Sequence, residues 1–437
     1  MNPEPSVSSP RRNPWAWIPS LYLAQGIPYV IVMTVSVIMY KRLGMSNTDI
    51  ALYTSWLYLP WVIKPLWSPV VDILRTKRFW IVGMQLVIGA GLAGVAFTLP
   101  LPSFFQYSLA FFWLMAFSSA THDIAADGFY MLALSEKEQS FFVGIRSTFY
   151  RIAMITGQGL LVILAGYFEA NPWTETENPI ASAWMITFFV LAAFFLIVFV
   201  YHRFILPFPA VDIPAASDTA RDFFSNFIRT FISFFKRKEI GVVLAFLLLF
   251  RLAEAQLVKL AQPFMLDSIE KGGLALSTVE VGFVYGTVGV IALTLGGILG
   301  GIAAARKGLK FWLWWMLVAI NLPDLVYVYL SAAQPTSLLV INAAVAVEQF
   351  GYGFGFTAYM LYMIYVSRGD FKTAHYALCT GFMALGMMIP GMFSGWIQEQ
   401  LGYQNFFIWV VVATIPGFIV AKFVPIDPEF GKKGDTG

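Results

Sequence analysis

Twelve stretches of about 20 predominantly apolar residues follow one another along the chain, each long enough to cross a hydrocarbon core as a helix. They begin near Trp15, Asn47, Phe79, Ser103, Phe142 and Ser182, and then near Gly241, Thr278, Phe311, Thr336, Lys372 and Tyr403. Lipid offers no hydrogen bonds, so a spanning segment must satisfy its own backbone, which leaves helices or closed barrels. Stretches of this length predict an all-α integral membrane protein. Only 12% of residues are charged and 58% are hydrophobic, against about a quarter charged in a soluble domain, so a water-soluble fold is excluded.

The longest polar connection divides the spans six and six. The expected organisation is an N-terminal tail (1–14), a six-helix bundle (15–206), a linker (207–240), a second six-helix bundle (241–424) and a C-terminal tail (425–437). In the linker Thr219 and Asp222 form a capping-box pattern, and Phe223, Phe227, Phe231 and Phe234 fall on one face of a basic helix expected to lie along the headgroups. The first apolar stretch is too long for a signal peptide and lacks its cleavage site, so it should remain as a span. Alternate connections differ sharply in bases. One set carries Arg11, Arg12, Arg75, Lys77, Arg78, Lys236, Arg237 and Lys238 among others, while the other holds only Lys41, Arg42 and Lys271 beside Glu169, Glu175 and Glu177. The excess of bases marks the cytoplasmic side, which places both termini there.

A charge near the bilayer centre costs roughly 3 kcal/mol or more, so such residues face a protein-lined, often wet, cavity. Ser118 to Asp127 puts His122, Asp123 and Asp127 in the fourth stretch. The two acids are one helical turn apart, and pairing with Arg151 of the fifth stretch, which also carries Gln158, is expected to offset their burial. His122 is read as a packing residue. In the seventh stretch Arg251 and Glu254 can pair at i, i+3, leaving Lys259 to attract an anion or to snorkel outward. Gln256 and Gln262 add polarity there. Asn321, Pro323 and Asp324 in the ninth stretch, Asn342, Glu348, Gln349 and Gly351, Gly353 and Gly355 in the tenth, and Gln25-Gly26-Ile27-Pro28 in the first mark helices able to bend or pack closely. Most tryptophans near helix ends read as interfacial anchors; Trp56, Tyr58, Trp61, Tyr150 and Tyr285 lie deeper, where an aromatic face could stack on a sugar ring.

The lone Cys379 cannot form an internal disulfide, and His122, His202 and His375 have no metal-ligand spacing. No cofactor, metal or nucleic-acid partner is expected. The halves echo each other: Lys64-Pro65-Leu66-Trp67-Ser68-Pro69-Val70-Val71-Asp72 precedes Arg75, Lys77 and Arg78, and Gly296-Gly297-Ile298-Leu299-Gly300-Gly301 precedes Arg306, Lys307 and Lys310. Parallel repeats with a substrate site between them are a known transporter plan.

The turn carrying Asp72 and its trailing bases resembles the loop signature of the major facilitator superfamily. The pieces Ala24 to Pro28, Lys64 to Pro69, Ser118 to Asp127, Tyr150-Arg151, Phe250 to Ala255 and the Glu348 segment resemble, in order, the AmpG-type permeases, over about Trp15 to Val424. That resemblance implies a major facilitator fold and the import of anhydromuropeptides, within a wider group that includes acetyl-coenzyme A transporters. No Walker-type phosphate loop is present, so an ion gradient must supply the energy, with protons as the coupling ion.

The expected proton-coupling residues are Asp123, Asp127 and Arg151. Gln25, Tyr150, Arg251, Glu254, Lys259, Glu348 and Gln349 are expected to bind substrate, and Asp72, Arg75 and Arg78 to gate. The protein is expected to act as a monomer in membrane lipid, in a bacterial inner membrane. A transporter of another cargo, such as a siderophore, a drug or an acyl-coenzyme A, is the alternative. A membrane transferase using His122 and Asp123 is the remoter one.

Overall fold

The computed structural model describes residues 12–172, 178–214, 228–369 and 371–431, and every regular element among them is helical. The side chain of Asp72 lies outside those described, as do residues 215–227 with the predicted linker cap, and Glu175 and Glu177.

Eight helical runs among the described residues are long and apolar enough to cross a membrane. Two of these are hairpins. In Val290–Asn321, Gly308 adopts φ 79°, ψ 165°, a left-handed conformation that glycine reaches without penalty. The two arms then pack on the same stretch of the next helix: a Cβ on Gly353 would meet Leu293 O at 2.0 Å, and one on Gly355 would meet Met316 O at 2.3 Å. Gly402 (φ 73°, ψ 166°) does the same in Lys372–Val412, since Gly386 and Gly417 both pack beside Leu249 or its neighbours.

The helical segments that match the expected stretches are, in order, Pro14–Arg42, Asn47–Trp56 continued by Leu59–Leu74, Lys77–Thr98, Phe104–Ala133, Lys137–Ala170 and Pro179–Ile205, then Ile240–Leu266, 278–307, 309–333, Leu338–Val366, 374–401 and 403–421. The second is interrupted at 57–58, leaving pieces of 10 and 16 residues, and the fourth carries His122, Asp123 and Asp127. The expected twelve stretches all fall on helices, in two six-helix bundles.

Local chemistry fixes the ends. Ser46 and Thr76 accept from Asp49 N and Phe79 N at 3.0 and 3.1 Å, and Ser135 with Glu138 and Ser277 with Glu280 form capping boxes, satisfying backbone donors that a helix start leaves open. The predicted irregularity of the first helix is real: after Pro28 the turn Ile31–Val35 is π-helical. The tenth helix, by contrast, runs unbroken from Leu338 to Val366, so its glycines serve close packing.

Packing distinguishes the two ends of the molecule. At the end carrying the termini, each bundle has its own hydrophobic cluster, one around Trp17, Phe129 and Leu206, the other around Phe246, Met316 and Tyr362. At the far end a single cluster contains Tyr40, Phe112 and Trp184 together with Leu257, Phe264 and Phe407. The apolar cores of the bundles are thus joined at one end and separate at the other. Where they meet, backbone touches backbone: a Cβ on Gly286 would sit 2.0 Å from Gln158 O, and one on Gly395 2.0 Å from Asn47 O.

The described part of the linker corrects one expectation. Phe234 is fully buried, stacked on Phe382 of the eleventh span at 6.2 Å and next to His375, while Arg237 donates to the carbonyls of Val366 and Arg368. This face rests on protein rather than on headgroups, because the eleventh span offers an apolar groove next to it.

Candidate functional site: a seam cavity between the bundles

Between the bundles lies a cavity of two adjoining lobes, of about 610 and about 460 Å³, a size that suits drug-sized ligands. The larger lobe reaches Lys77, Met131 and Tyr376 at the terminal end. The smaller, inner lobe is lined by Gln25, Arg151, Gln158, Tyr285 and Gln349. Tyr29, Tyr58 and Arg251 face both.

The far end is closed by polar bonds across the seam. Lys41 pairs with Asp267 at 2.6 Å, with side chains only 12% and 8% exposed, and Tyr403 donates to the same carboxylate at 2.6 Å. Asn47 donates to Gln398 Oε1 at 2.7 Å, Thr48 to Glu399, and Thr278 to Glu169 Oε2 at 2.6 Å. Glu169 is held in place by Arg42 at 3.0 Å and by Trp184 Nε1 at 2.9 Å. Sequence reasoning noticed Lys41 and Arg42 only as rare bases on the poorer side. Their acid partners carry no local signal, because they come from remote helices.

The intramembrane acids are paired, but not as expected. Asp127 takes Arg146, at 2.9 Å, whose guanidinium also lies over the rings of Tyr22 and Tyr130 at 4.6 and 5.1 Å. Asp123 accepts from Trp61 Nε1 at 3.1 Å and has Lys64 at 3.9 Å. The expected pairing with Arg151 does not occur among the described residues: both arginines border the inner lobe, but Arg146, about one turn and a half earlier on the fifth helix, is the one that reaches Asp127. Arg151 has no carboxylate partner among the described residues.

Nor do Arg251 and Glu254 form an ion pair among the described residues. The helix breaks at Arg251, with φ −108°, ψ 19°, which swings its guanidinium onto the hydroxyl of Tyr352 and over the ring of Phe356 at 4.8 Å. Glu254 instead points inside the C-terminal bundle, where its carboxylate and those of Asp324 and Glu348 approach within 4.8 Å of one another. Lys259 does not snorkel; it is 3% exposed, donates to Thr54 Oγ1 at 2.9 Å across the seam and lies 5.3 Å from the ring of Tyr58. Of the deep aromatics, Tyr58 and Trp61 line the larger lobe and Tyr150 and Tyr285 the inner one, while Trp56 is 40% exposed and faces outward.

His122 belongs to a buried chain. Ser20 Oγ meets His202 Nε2 at 2.9 Å, His202 Nδ1 meets Gln85 Oε1 at 3.0 Å, and Gln85 Nε2 meets His122 Nε2 at 3.1 Å. Adjacent helical residues do not face each other, so His122 and Asp123 make no acid-base pair. Of the residues expected to gate, Arg75 lies 5.5 Å from the Phe79 ring, and Arg78 is held by the Leu206 and Arg203 carbonyls and stacks on Phe208 at 3.8 Å.

A chamber between two helical bundles, barred at one face by reversible polar bonds and reachable from the other, is the working part of a membrane transporter, not of an enzyme. The chain belongs to the Major Facilitator Superfamily, which its residues 20–373 match. It is 25% identical over 428 residues to the anhydromuropeptide permease of Escherichia coli (strain K12), covering 95% of this chain and 80% of the relative. Its fold is similar to that of a bacterial homologue of the human lysosomal transporter Spinster, in an inward-facing and occupied conformation (TM-score 0.66, 16% identity, covering 95% of this chain and 97% of that one). It is also similar to the inward-open xylose transporter XylE from E. coli (TM-score 0.67, 12% identity, covering 97% of each). The protein is a secondary transporter of a small molecule.

Proposed function

We propose that this transporter is a proton-coupled importer of anhydromuropeptides or related amino-sugar compounds. It would act by alternating access, as a monomer in the inner membrane of a bacterium, with both termini in the cytoplasm. The observation that carries the cargo assignment is the inner lobe: beside Arg146, paired with Asp127, and Arg251, bonded to Tyr352, a guanidinium without a carboxylate partner among the described residues, Arg151, stands among the amides of Gln25, Gln158 and Gln349 and the phenols of Tyr150 and Tyr285. An acidic, multiply hydroxylated and acylated aminosugar needs such a set, one fixed positive charge for its carboxylate and several neutral donors and acceptors for the rest. The kinship with the E. coli permease supports the same reading. The separate cores at the terminal end and the bonded far end correspond, in this reading, to a state open to the cytoplasm.

Asp123 is assigned to the proton step. It lies behind Trp61 and Lys64, which line the larger lobe, with a base only at 3.9 Å, so its charge is not fixed by a tight ion pair. The expected gating role of Asp72, Arg75 and Arg78 is kept as part of this proposal, on the cytoplasmic side of the second and third spans.

The test is uptake of a labelled anhydromuropeptide into proteoliposomes with an imposed pH gradient. Accumulation should require the gradient, and uptake indifferent to it defeats the coupling. Asp123→Asn should abolish accumulation while exchange persists. Arg151→Ala should weaken cargo binding by about tenfold to a hundredfold, since a charge-assisted hydrogen bond contributes about 1.5–3 kcal/mol. Competition by a siderophore, a drug or an acyl-coenzyme A, without competition by unlabelled muropeptide, would transfer the site to that cargo.

A further inference from the structure

Glu254, Asp324 and Glu348 come from the seventh, ninth and tenth spans and lie behind the wall of the inner lobe, each at most 2% exposed. Asp324 reaches the cluster because the helix tightens into a 3-10 turn at Leu322–Asp324, around Pro323. Their carboxylate oxygens come within 4.8 Å of one another. Both oxygens of Glu254 and both of Asp324 have no hydrogen-bond partner among the described residues. Only Glu348 is served, by Gln349 Nε2 at 3.0 Å and more distantly by the Tyr327 hydroxyl at 3.5 Å.

Three ionised carboxylates cannot share so small a dry space, since like charges this close exclude one another's ionised forms. The groups facing them are Arg251 from the seventh span, Tyr285 from the eighth, Tyr327 from the ninth and Tyr352 from the tenth, and the seventh span's other base, Lys259, is turned to Thr54. One guanidinium balances one carboxylate, which leaves two charges to be removed. Protons do this and at the same time supply the missing donors, as a carboxylic O–H of one residue bonding to the oxygen of the next. A hard cation held by the same oxygens is the competing occupant, and its effect on the carboxyl band distinguishes it from protons.

We propose that Glu254, Asp324 and Glu348 form a proton-binding site of the C-terminal bundle that shares two protons at neutral pH and exchanges them with the transport cavity. Gln349 Nε2 donates to Glu348 at 3.0 Å and to the Tyr285 hydroxyl oxygen at 3.3 Å, and both Gln349 and Tyr285 face the inner lobe, so a single layer of side chains separates Glu348 from the cavity. A proton leaving Glu348 passes to water in that lobe and leaves a carboxylate behind. The use of this store in transport rests on the proposed proton coupling; its existence does not.

Infrared difference spectroscopy on the full-length protein in lipid nanodiscs, without cargo, tests it. Wild type at neutral pH should show a protonated-carboxyl C=O band that shifts in D2O and disappears on alkalinisation. The Glu254→Gln/Asp324→Asn/Glu348→Gln variant should lose most of it. Asp324→Asn alone should reduce it, and serves if the triple variant does not fold. An unchanged band in the folded variants, or no such band in wild type, overturns the proposal. So does a band removed by sodium or calcium at constant pH, which would make the cluster a metal site. Because no cargo is present, a wrong cargo assignment leaves this result untouched.

Discussion

In the N-terminal bundle each intramembrane acid has its own base, Lys64 for Asp123 and Arg146 for Asp127. In the C-terminal bundle three acids face one another and the nearest base, Arg251, is occupied with Tyr352. Both arrangements allow carboxylates within lipid depth, by different physics. A dedicated base offsets each charge locally, beside a cavity that solvates part of the pair. A cluster makes charge conditional, so that its occupancy can change with conditions outside.

That contrast can be broken by substitution. The largest effect is expected for Arg251→Ala, which takes away the one base facing the cluster among the described residues and should destabilise the protein by about 3 kcal/mol, because the charge-assisted hydrogen bond to Tyr352 is lost and one more cluster charge is left uncompensated. Adding Glu254→Gln should restore most of the loss in thermal unfolding. A double variant no better than the single would place Arg251's contribution in its stacking on Phe356 instead.

Next, Asp324→Asn should raise stability by about 1–3 kcal/mol in alkaline buffer, the scale of relieving an unsatisfied buried group, and change little in acid. In wild type, repelling charges appear in the cluster as pH rises and the unfolded chain then holds fewer protons than the folded one, so stability falls with rising pH. Unfolding temperature measured across pH checks the sign. A stability lowered at all pH values would contradict the contrast.

The smallest effect belongs to the N-terminal bundle. Arg146→Ala should cost only about 1 kcal/mol or less, because the Asp127 side chain is 42% exposed to the cavity and partly solvated pairs contribute little. Lys64→Ala should behave alike. Chemical unfolding of both beside Arg251→Ala sharpens or erases the ranking.

The fold was legible because its cause is local. Runs of about 20 apolar residues imply spans wherever their neighbours lie, and Ser135–Glu138 or Ser277–Glu280 mark a helix start within four residues. The positions of the candidate site residues were legible only as depth. Gln25, Tyr150, Arg151, Arg251 and Gln349 do line the cavity, since polarity inside a span almost always faces inward. Partner choice was not legible. Arg146 and Arg151 sit on one helix, and which of them meets Asp127 depends on helix rotation that periodicity in an almost uniformly apolar stretch does not encode. Asp324 was read as part of a bend beside Pro323, and its convergence with Glu254 and Glu348 depends on three helices packing at once.

The contact of Gly286 with the backbone of Gln158, and of Gly395 with that of Asn47, bears on how the barrier at the far end is undone. Interlocked side chains must each find a new rotamer before two surfaces part, and dense packing resists such change. Smooth main-chain ridges have nothing to unhook. Once the ion pairs and amide hydrogen bonds around them let go and the shared apolar side chains part, the two rods can separate along these lines without main-chain rearrangement, much as a sliding door moves on its rail when the latch is released.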